Sequence, residues 1–545
     1  MLLYNTLKTS ILGKYRCTFL CLLYLLIITF LGGDHLFSIT TIVAMFSSFS
    51  ILVILNILSK FKYSFLFTIL LIIIVSFDAF FSLSYNTYIT LPILSSVFDT
   101  DMNEATEAFG QYSMRIVLII IITSFLVIKA QKELTFFPFS KLKSSLCLIV
   151  YFVLFIPIVA GYKLDKNKKE DANHFHRIDP ILAAEPLVKA VFPVVYGDVF
   201  TYGVYKYEKY RIEEYIKNIR ILPNDIALDE SRRKPAKIYF VIGETARRDH
   251  FSLYGYNVKT TPFLDSLYNL ESVDFNFYQG LAPAPITREA LRIVLSFASP
   301  LDASSLFEYK NVVELAKDAG YETLWISNQD AVGVSDGYVG FISSCADFRS
   351  FRDRMDENGK PEDLNLVEIL KMKHLPDKNQ MFFINLMGSH ASYDARYDSI
   401  DRMSIEGEGI TVDYDRSIHH TDRVLMELYN VMEKDTSAVL CYFSDHGEVI
   451  GKGHILGSQQ DYRIPLFVIS NDSVIVNADN VMEKYINTKT GCINTTSCIY
   501  SVAEIMGYSV PEKYVTKTVS EGEYVLDKDY NPEYIGNIKE GVDKK

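Results

Sequence analysis

The strongest constraint on this chain is the segregation of its apolar residues. Five apolar tracts, at 17–33, 37–58, 64–85, 114–129 and 145–162, crowd the first third of the 545 residues, and nothing comparable follows. A helix that crosses a bilayer takes about 20 apolar residues. The tracts are therefore expected to be five membrane spans rather than buried helices of a soluble fold. A signal peptide does not account for the first, because no small-residue cleavage site follows it. With 49% hydrophobic residues the chain is too apolar for disorder. A net charge of −12 argues against nucleic acid as a partner.

Basic residues in the short connections set the orientation. Lys8, Lys14 and Arg16 precede the first tract, Lys60 and Lys62 follow the second, and Lys129, Lys132, Lys141 and Lys143 follow the fourth. The intervening connections carry Asp34 and His35, then Asp99, Asp101, Glu104 and Glu107. This alternation places the N-terminus in the cytoplasm and everything after Tyr162 outside. Lys163, Lys166, Lys168 and Lys169 run against it, but long segments translocate largely regardless of charge. Asp78 lies near the outer end of the third tract. A carboxylate there is costly, and it is expected to meet a lipid headgroup or a structural hydrogen bond rather than catalyse.

Residues 1–162 thus read as the transmembrane domain and 163–234 as an interfacial linker with a helix at 208–220. Residues 235–527 read as a catalytic domain, and 528–545 as a charged, frayed tail. In the catalytic domain apolar strands at 237–243, 322–327, 381–387, 438–444 and 467–470 alternate with helices such as 312–319. That pattern predicts an α/β fold with a central, mostly parallel sheet, whose ligands gather at the carboxyl ends of the strands.

Those ends carry one kind of chemistry. The strand at 237 runs into Glu244-Thr245, the one at 381 into Ser389-His390, and the one at 438 into Asp445-His446-Gly447-Glu448, with His454 soon after. Carboxylates and imidazoles without thiolates suit Zn²⁺, with Mn²⁺ as the alternative.

Gly-Glu-Thr-Ala-Arg from Gly243, Phe-Ser-Leu-Tyr-Gly-Tyr from Phe251, Thr260-Thr261-Pro262 and Ser444-Asp-His-Gly-Glu448 together resemble the bacterial phosphoethanolamine transferases. Those are inner-membrane enzymes with five spans and a periplasmic domain of the alkaline phosphatase/sulfatase type. The resemblance implies transfer of phosphoethanolamine from phosphatidylethanolamine to an envelope glycolipid or glycan, with diacylglycerol released. It makes Thr287 the covalent nucleophile, with Thr245 as its rival. Glu244, Asp445 and His446 would complete the metal set with Thr287, and His390 and His454 would be catalytic. A threonine hydroxyl is a poor nucleophile unless a cation lowers its pKa.

The same resemblance gives Ser96, Thr100 and Glu104 to the lipid headgroup, and Asn328 and Gln329 to the substrate side. Where the family has Asn this chain has Ser96, and Pro283 and Ile293 replace the cysteines that flank the family's threonine. Those departures, with the Trp325-x-Ser-Asn-Gln329 segment, tilt the acceptor towards a lipopolysaccharide core sugar or periplasmic glucan over lipid A. A monomer is expected.

His419 and His420 read as exposed helix residues. Among the cysteines facing an oxidising compartment, Cys492–Cys498 is favoured as a disulfide by proximity. The competing readings are a glycerophosphate transferase of the lipoteichoic acid synthase type, a sulfatase or phosphatase, and a non-catalytic sensor. The first lacks its Gly-Lys-Thr segment here, the second its Cys/Ser-x-Pro-x-Arg segment, and the third would have shed metal ligands that this chain keeps.

Overall fold

The computed structural model describes residues 14–32, 39–99, 102–153, 194–302, 305–329, 337–351, 363–454, 457–471, 478–528 and 530–544, with isolated positions between 181 and 192. The chain forms two compact units, 1–171 with 176–208 and 172–175 with 209–545.

The first unit is helical. Its helices are α1 (Arg16–Leu31), α2 (Ile39–Ser59), α3 (Phe65–Tyr85), α4 (Leu91–Asp99) and α5 (Met102–Leu134), and α6 (Tyr196–Ile216) begins in it. Cys21, Leu25, Ile28, Leu55, Val75, Ala79 and Ala130 pack together at its centre. Phe65, Leu66, Phe67, Leu70 and Ile73 of α3 are exposed. An apolar exterior around an apolar interior is what a helix bundle shows to lipid rather than to water. Two stretches, Phe65–Tyr85 and Ser113–Leu134, are long and apolar enough to cross a bilayer; Arg16–Leu31 and Phe46–Ser59 are shorter apolar helices. The fifth tract is described only as far as Val153.

Helix ends in this unit are closed by charged side chains. Glu133 of α5 accepts the backbone N–H groups of Cys17 and Thr18 at 3.0 and 2.8 Å. Lys60 donates to the carbonyls of Leu134 and Phe137 at 3.1 and 3.2 Å. Glu133 thus supplies acceptors that the first turn of α1 lacks, and Lys60 a donor that the last turn of α5 lacks. The connection that carries Ser96 and Glu104 is largely helical, in α4 and α5. Asp78 is fully buried beside the Lys189–Asp198 ion pair, so of its two expected surroundings it meets polar groups of its own unit.

The second unit is built on an eight-stranded sheet. Its strands are β1 (Lys237–Gly243), β2 (Asp274–Leu281), β3 (Glu322–Ser327), β4 (Phe348–Ser350), β5 (Gln380–Asn385), β6 (Ala438–Ser444), β7 (Arg463–Ser470) and β8 (Ile493–Asn494), in the order β4-β3-β5-β1-β6-β7-β2-β8. Neighbours are parallel except that β7 opposes both β6 and β2. The sheet is therefore mixed, with its parallel part around β1. The strand expected at 467–470 belongs to the reversed β7, which begins at Arg463.

Side chains alternate between the two faces of a strand. In β1, Ile238, Phe240 and Ile242 enter one apolar layer while Tyr239 and Val241 enter the other. In β6, Val439, Cys441 and Phe443 separate in the same way from Leu440 and Tyr442. Both faces are covered, which explains why these strands read as continuous apolar runs.

Three further expectations are corrected in this unit. His419 and His420 are buried in α9 (Ile410–Met432), where their Nδ1 atoms lie 2.6 and 2.8 Å from the two oxygens of Asp401 in α8 (Ser399–Ser404). The packing of α8 onto α9 covers a face that sequence alone leaves open. Cys492 and Cys498 are free thiols. Strand β8 and the turn Thr495–Ser497 carry Cys498 into the core beneath the sheet, and leave Cys492 in a separate cluster with Leu281 and Tyr462. The tail is ordered: Pro532–Tyr534 pairs with Tyr524–Leu526, and Asp543 binds Arg247.

Candidate active site

The parallel strands deliver their ends to one place. After β1 the chain turns at Glu244-Thr245, and after β6 at Asp445-His446. Gly243 is required because a Cβ there would meet the Tyr442 hydroxyl at 2.3 Å. Gly388, after β5, has φ +52°, and a Cβ would strike the Glu244 carbonyl oxygen at 2.7 Å. The loop after β5 thus lies directly on the Glu244 backbone, with Ser389 N–H donating to Glu244 O at 3.0 Å.

Glu244, Asp445 and His446 place one ligand atom each within 4.8 Å of one another, all buried. His446 Nε2 is 3.4 Å from Glu244 Oε1 and 3.3 Å from Asp445 Oδ2. Thr287 opens α7 (Thr287–Val294), and its Oγ1 lies 3.3 Å from both oxygens of Glu244 and 3.2 Å from His446 Nε2. A helix N-terminus favours an anion such as a phosphoryl group. The rival Thr245 is buried and donates its hydroxyl to Glu244 Oε1 at 2.7 Å. Its φ of +58° is strained for a branched residue. Thr245 is committed to holding Glu244, whereas Thr287 is partly accessible.

The arrangement fits a divalent cation. His446 Nδ1 is 2.7 Å from the Gly447 carbonyl, which leaves Nε2 facing the two carboxylates. Asp445 Oδ2 is buried with no hydrogen-bond partner among the described residues. Burial and the neighbouring Glu244 push Asp445 up to about 7. Burial pulls His446 down, but Asp445 and Glu244 outweigh it and hold the imidazolium up to about 10. For Glu244 burial is likewise outweighed, by His446 and His390, and its carboxyl stays well below the usual range. Protons here occupy a place that a cation would take.

Around this centre the His390 and His454 rings are 6.3 Å apart, and His446 and His454 4.4 Å. Burial and the two neighbouring histidines hold His454 well below the usual imidazole range. Gln329 Nε2 donates to Glu244 Oε2 at 2.8 Å. Asn328 faces away: its amide donates to Asp363 Oδ1 at 2.7 Å, and Asp363 accepts the N–H groups of Met387 and Gly388. Asn328 therefore braces the loop after β5. Thr100 lies outside the described residues, as do the side chains of Ser96 and Glu104.

Sequence reasoning missed Asp363, Tyr414 and Asp543. Tyr414 accepts Arg247 N–H at 2.9 Å and donates to Thr245 O at 2.8 Å. None of the three stands in a motif, and only the fold brings them near.

A family model described as "Sulfatase" matches residues 237–505, and one described as "Phosphoethanolamine transferase EptA/EptB" matches residues 44–169. The first of these stretches is thus similar to the sulfatases and the second to the phosphoethanolamine transferases. The chain is 26% identical over 389 residues to phosphoethanolamine transferase EptC of Escherichia coli O18:K1:H7 (strain RS218 / NMEC), covering 67% of this chain and 65% of that one. It is 26% identical over 358 residues to phosphoethanolamine transferase OpgE of Escherichia coli (strain K12), covering 60% and 65%. The chain thus spans 65% of the length of each of these curated relatives. The solved structure of the integral membrane protein lipooligosaccharide phosphoethanolamine transferase A from Neisseria meningitidis aligns with a TM-score of 0.59 at 18% identity, covering 90% of this chain and 95% of that one. That likeness concerns the fold.

Proposed function

We propose that this protein transfers phosphoethanolamine from phosphatidylethanolamine to an envelope glycan or glycolipid, through a covalent intermediate on Thr287. The observation that carries this reading is the Thr287 hydroxyl 3.3 Å from Glu244 and 3.2 Å from His446 at a helix N-terminus. Glu244, Asp445, His446 and Thr287 would hold Zn²⁺, or Mn²⁺ in its place. When bound, the cation would lower the pKa of the hydroxyl and offset charge on the phosphoryl oxygens.

Thr287 Oγ, its proton given up to solvent, attacks the phosphorus of the donor's phosphodiester. The bond from phosphorus to the glycerol oxygen breaks, and His390 protonates that oxygen as diacylglycerol leaves. In the second half the acceptor hydroxyl attacks the same phosphorus, with His454, held neutral by its surroundings, taking its proton. The bond from phosphorus to Thr287 Oγ breaks, and the threonine regains from solvent the proton it gave up in the first half. Gln329 steadies Glu244 throughout, while Ser96, Thr100 and Glu104 hold the donor's headgroup.

The protein would act as a monomer in a bacterial inner membrane, crossed by five spans, with this domain in the periplasm. The Trp325–Gln329 segment supports a lipopolysaccharide core or glucan acceptor.

The test uses the full chain in detergent with fluorescent phosphatidylethanolamine. Diacylglycerol release that stops with chelator and returns with zinc is expected. Turnover of phosphatidylglycerol in place of phosphatidylethanolamine would replace the donor and favour glycerophosphate transfer.

A further inference from the structure

The loop that carries His454 is held from outside the motif. After His446 the chain makes a tight hairpin, with Val449 N–H donating to Gly453 O at 3.2 Å and Gly453 N–H to Val449 O at 3.0 Å. His454 follows directly, so the hairpin fixes where its imidazole stands. At the tip, Ile450 N–H donates to Asp543 Oδ1 at 2.9 Å and Ile450 O accepts Lys544 N–H at 2.9 Å. Both polar groups of this backbone unit are therefore taken by residues 543–544. On another side, Gly451 N–H meets the Tyr393 hydroxyl at 3.3 Å.

Asp543 reaches further. Arg247 Nη1 binds its two oxygens at 2.8 and 2.9 Å and also donates to Glu448 O at 3.3 Å. Arg247 Nε and Nη2 bind Asp249, so the guanidinium is fully engaged. Arg247 stands three residues after Glu244, and its side chain is 4% exposed. One carboxylate thus ties the turn after β1 to the hairpin after β6. The strand of chain leading to it is clasped along its length. Gly541 and Gln460 exchange hydrogen bonds of 2.7 and 2.9 Å, and Gln459 N–H donates to Lys539 O at 3.0 Å.

We propose that residues 538–544 form a clamp on the catalytic loop, in which Asp543 is a positioning residue that sets His454 for the second half of the reaction. Asp543 acts through Ile450 and Arg247 and touches none of the four cation-binding groups. Its loss should leave the cation and the Thr287 step intact while slowing transfer onto the acceptor. The assignment of His454 to that step rests on the proposed function; the clamp itself does not.

The test compares full-length Asp543→Ala, Asp543→Glu and Glu540→Ala with the parent chain. Glu540 shares the segment but pairs with Arg463 at the surface, and its variant should behave as the parent. For Asp543→Ala the expected result is bound zinc and Thr287 adduct at parental stoichiometry, an unchanged donor KM, and kcat for acceptor transfer down about 10- to 100-fold. Asp543→Glu should recover most of it. Faster amide hydrogen exchange across 449–454 in Asp543→Ala, but not in Glu540→Ala, is expected whatever the reaction proves to be. Unchanged exchange overturns the clamp. Loss of zinc in step with kcat overturns the positioning role. A parent chain that forms no adduct, with exchange altered as expected, overturns the proposed function and leaves the clamp standing.

Discussion

Thr287 Oγ1 lies 3.2 Å from His446 Nε2, although 159 residues of chain separate them. One belongs to the first turn of a helix and the other follows the central β6 strand, and both converge on Glu244 at the end of β1. The pair states the chemistry in small: a hydroxyl brought up to an imidazole and two carboxylates whose ligand atoms lie within 4.8 Å of one another. Its consequences can be measured one residue at a time.

Thr287→Ala removes the side chain proposed to carry the transferred group. Donor cleavage should fall by at least about 10³-fold, while zinc remains bound through three ligands. Thr287→Ser keeps a hydroxyl and should retain a measurable fraction of the rate. Steady-state diacylglycerol release checks both, and Thr245→Val, which loses a hydrogen bond to Glu244, should still form the covalent adduct, whereas Thr287→Ala should not.

Cation binding should depend on pH in a definite direction. In the cation-free chain Asp445 is pushed up to about 7 and His446 up to about 10, so near neutrality a cation must displace protons from both. Affinity should therefore rise from pH 6 to pH 8, with protons released on binding. Calorimetry in two buffers of different ionisation heat measures this; affinity independent of pH would contradict it. At about 100-fold excess over Kd the bound cation should add about 2.7 kcal/mol of stability.

Gln329→Leu removes the amide that donates to Glu244 Oε2. Loss of such a supporting hydrogen bond should weaken zinc affinity about 10-fold. Competition with a chromogenic chelator reads the change directly, without relying on turnover.

These sites differ in how far the chain announces them. Glu244, Asp445 and His446 were legible because each follows an apolar strand and the ends of parallel strands share one side of a sheet. The strands β1 and β6 are likewise visible in the residues themselves, as continuous apolar runs covered on both faces. β2 and β7 were harder, since β2 carries a mixed pattern, Asp-Phe-Asn-Phe-Tyr-Gln, and its antiparallel pairing with β7 depends on partners nearly 200 residues away. The burial of His419 and His420 was illegible for a related reason. A helix face looks polar until the helix that covers it is known, and α8 contributes a carboxylate at the one point where both imidazoles need it. The ordered segment around Asp543 looks frayed by composition, and only Arg247 and Ile450 reveal its purpose.

Asp401 offers a test of that buried network. Burial raises its carboxyl, but hydrogen bonds from His419 and His420 outweigh burial and hold it well below the usual range. A depressed carboxyl adds stability above its unfolded value near about 4, and that stability is lost as pH falls towards the folded value. Asp401→Asn should cost about 3 kcal/mol at pH 7 and flatten the acid limb of the stability curve. Urea unfolding at pH 7 and at pH 3.5 measures both effects.

The most direct test is intact mass of the purified chain, mixed with phosphatidylethanolamine and zinc and quenched before acceptor is added. The account predicts one phosphoethanolamine adduct, mapped to Thr287 and absent from Thr287→Ala. Donor cleavage with no covalent adduct, or an adduct that maps to Thr245, would contradict it.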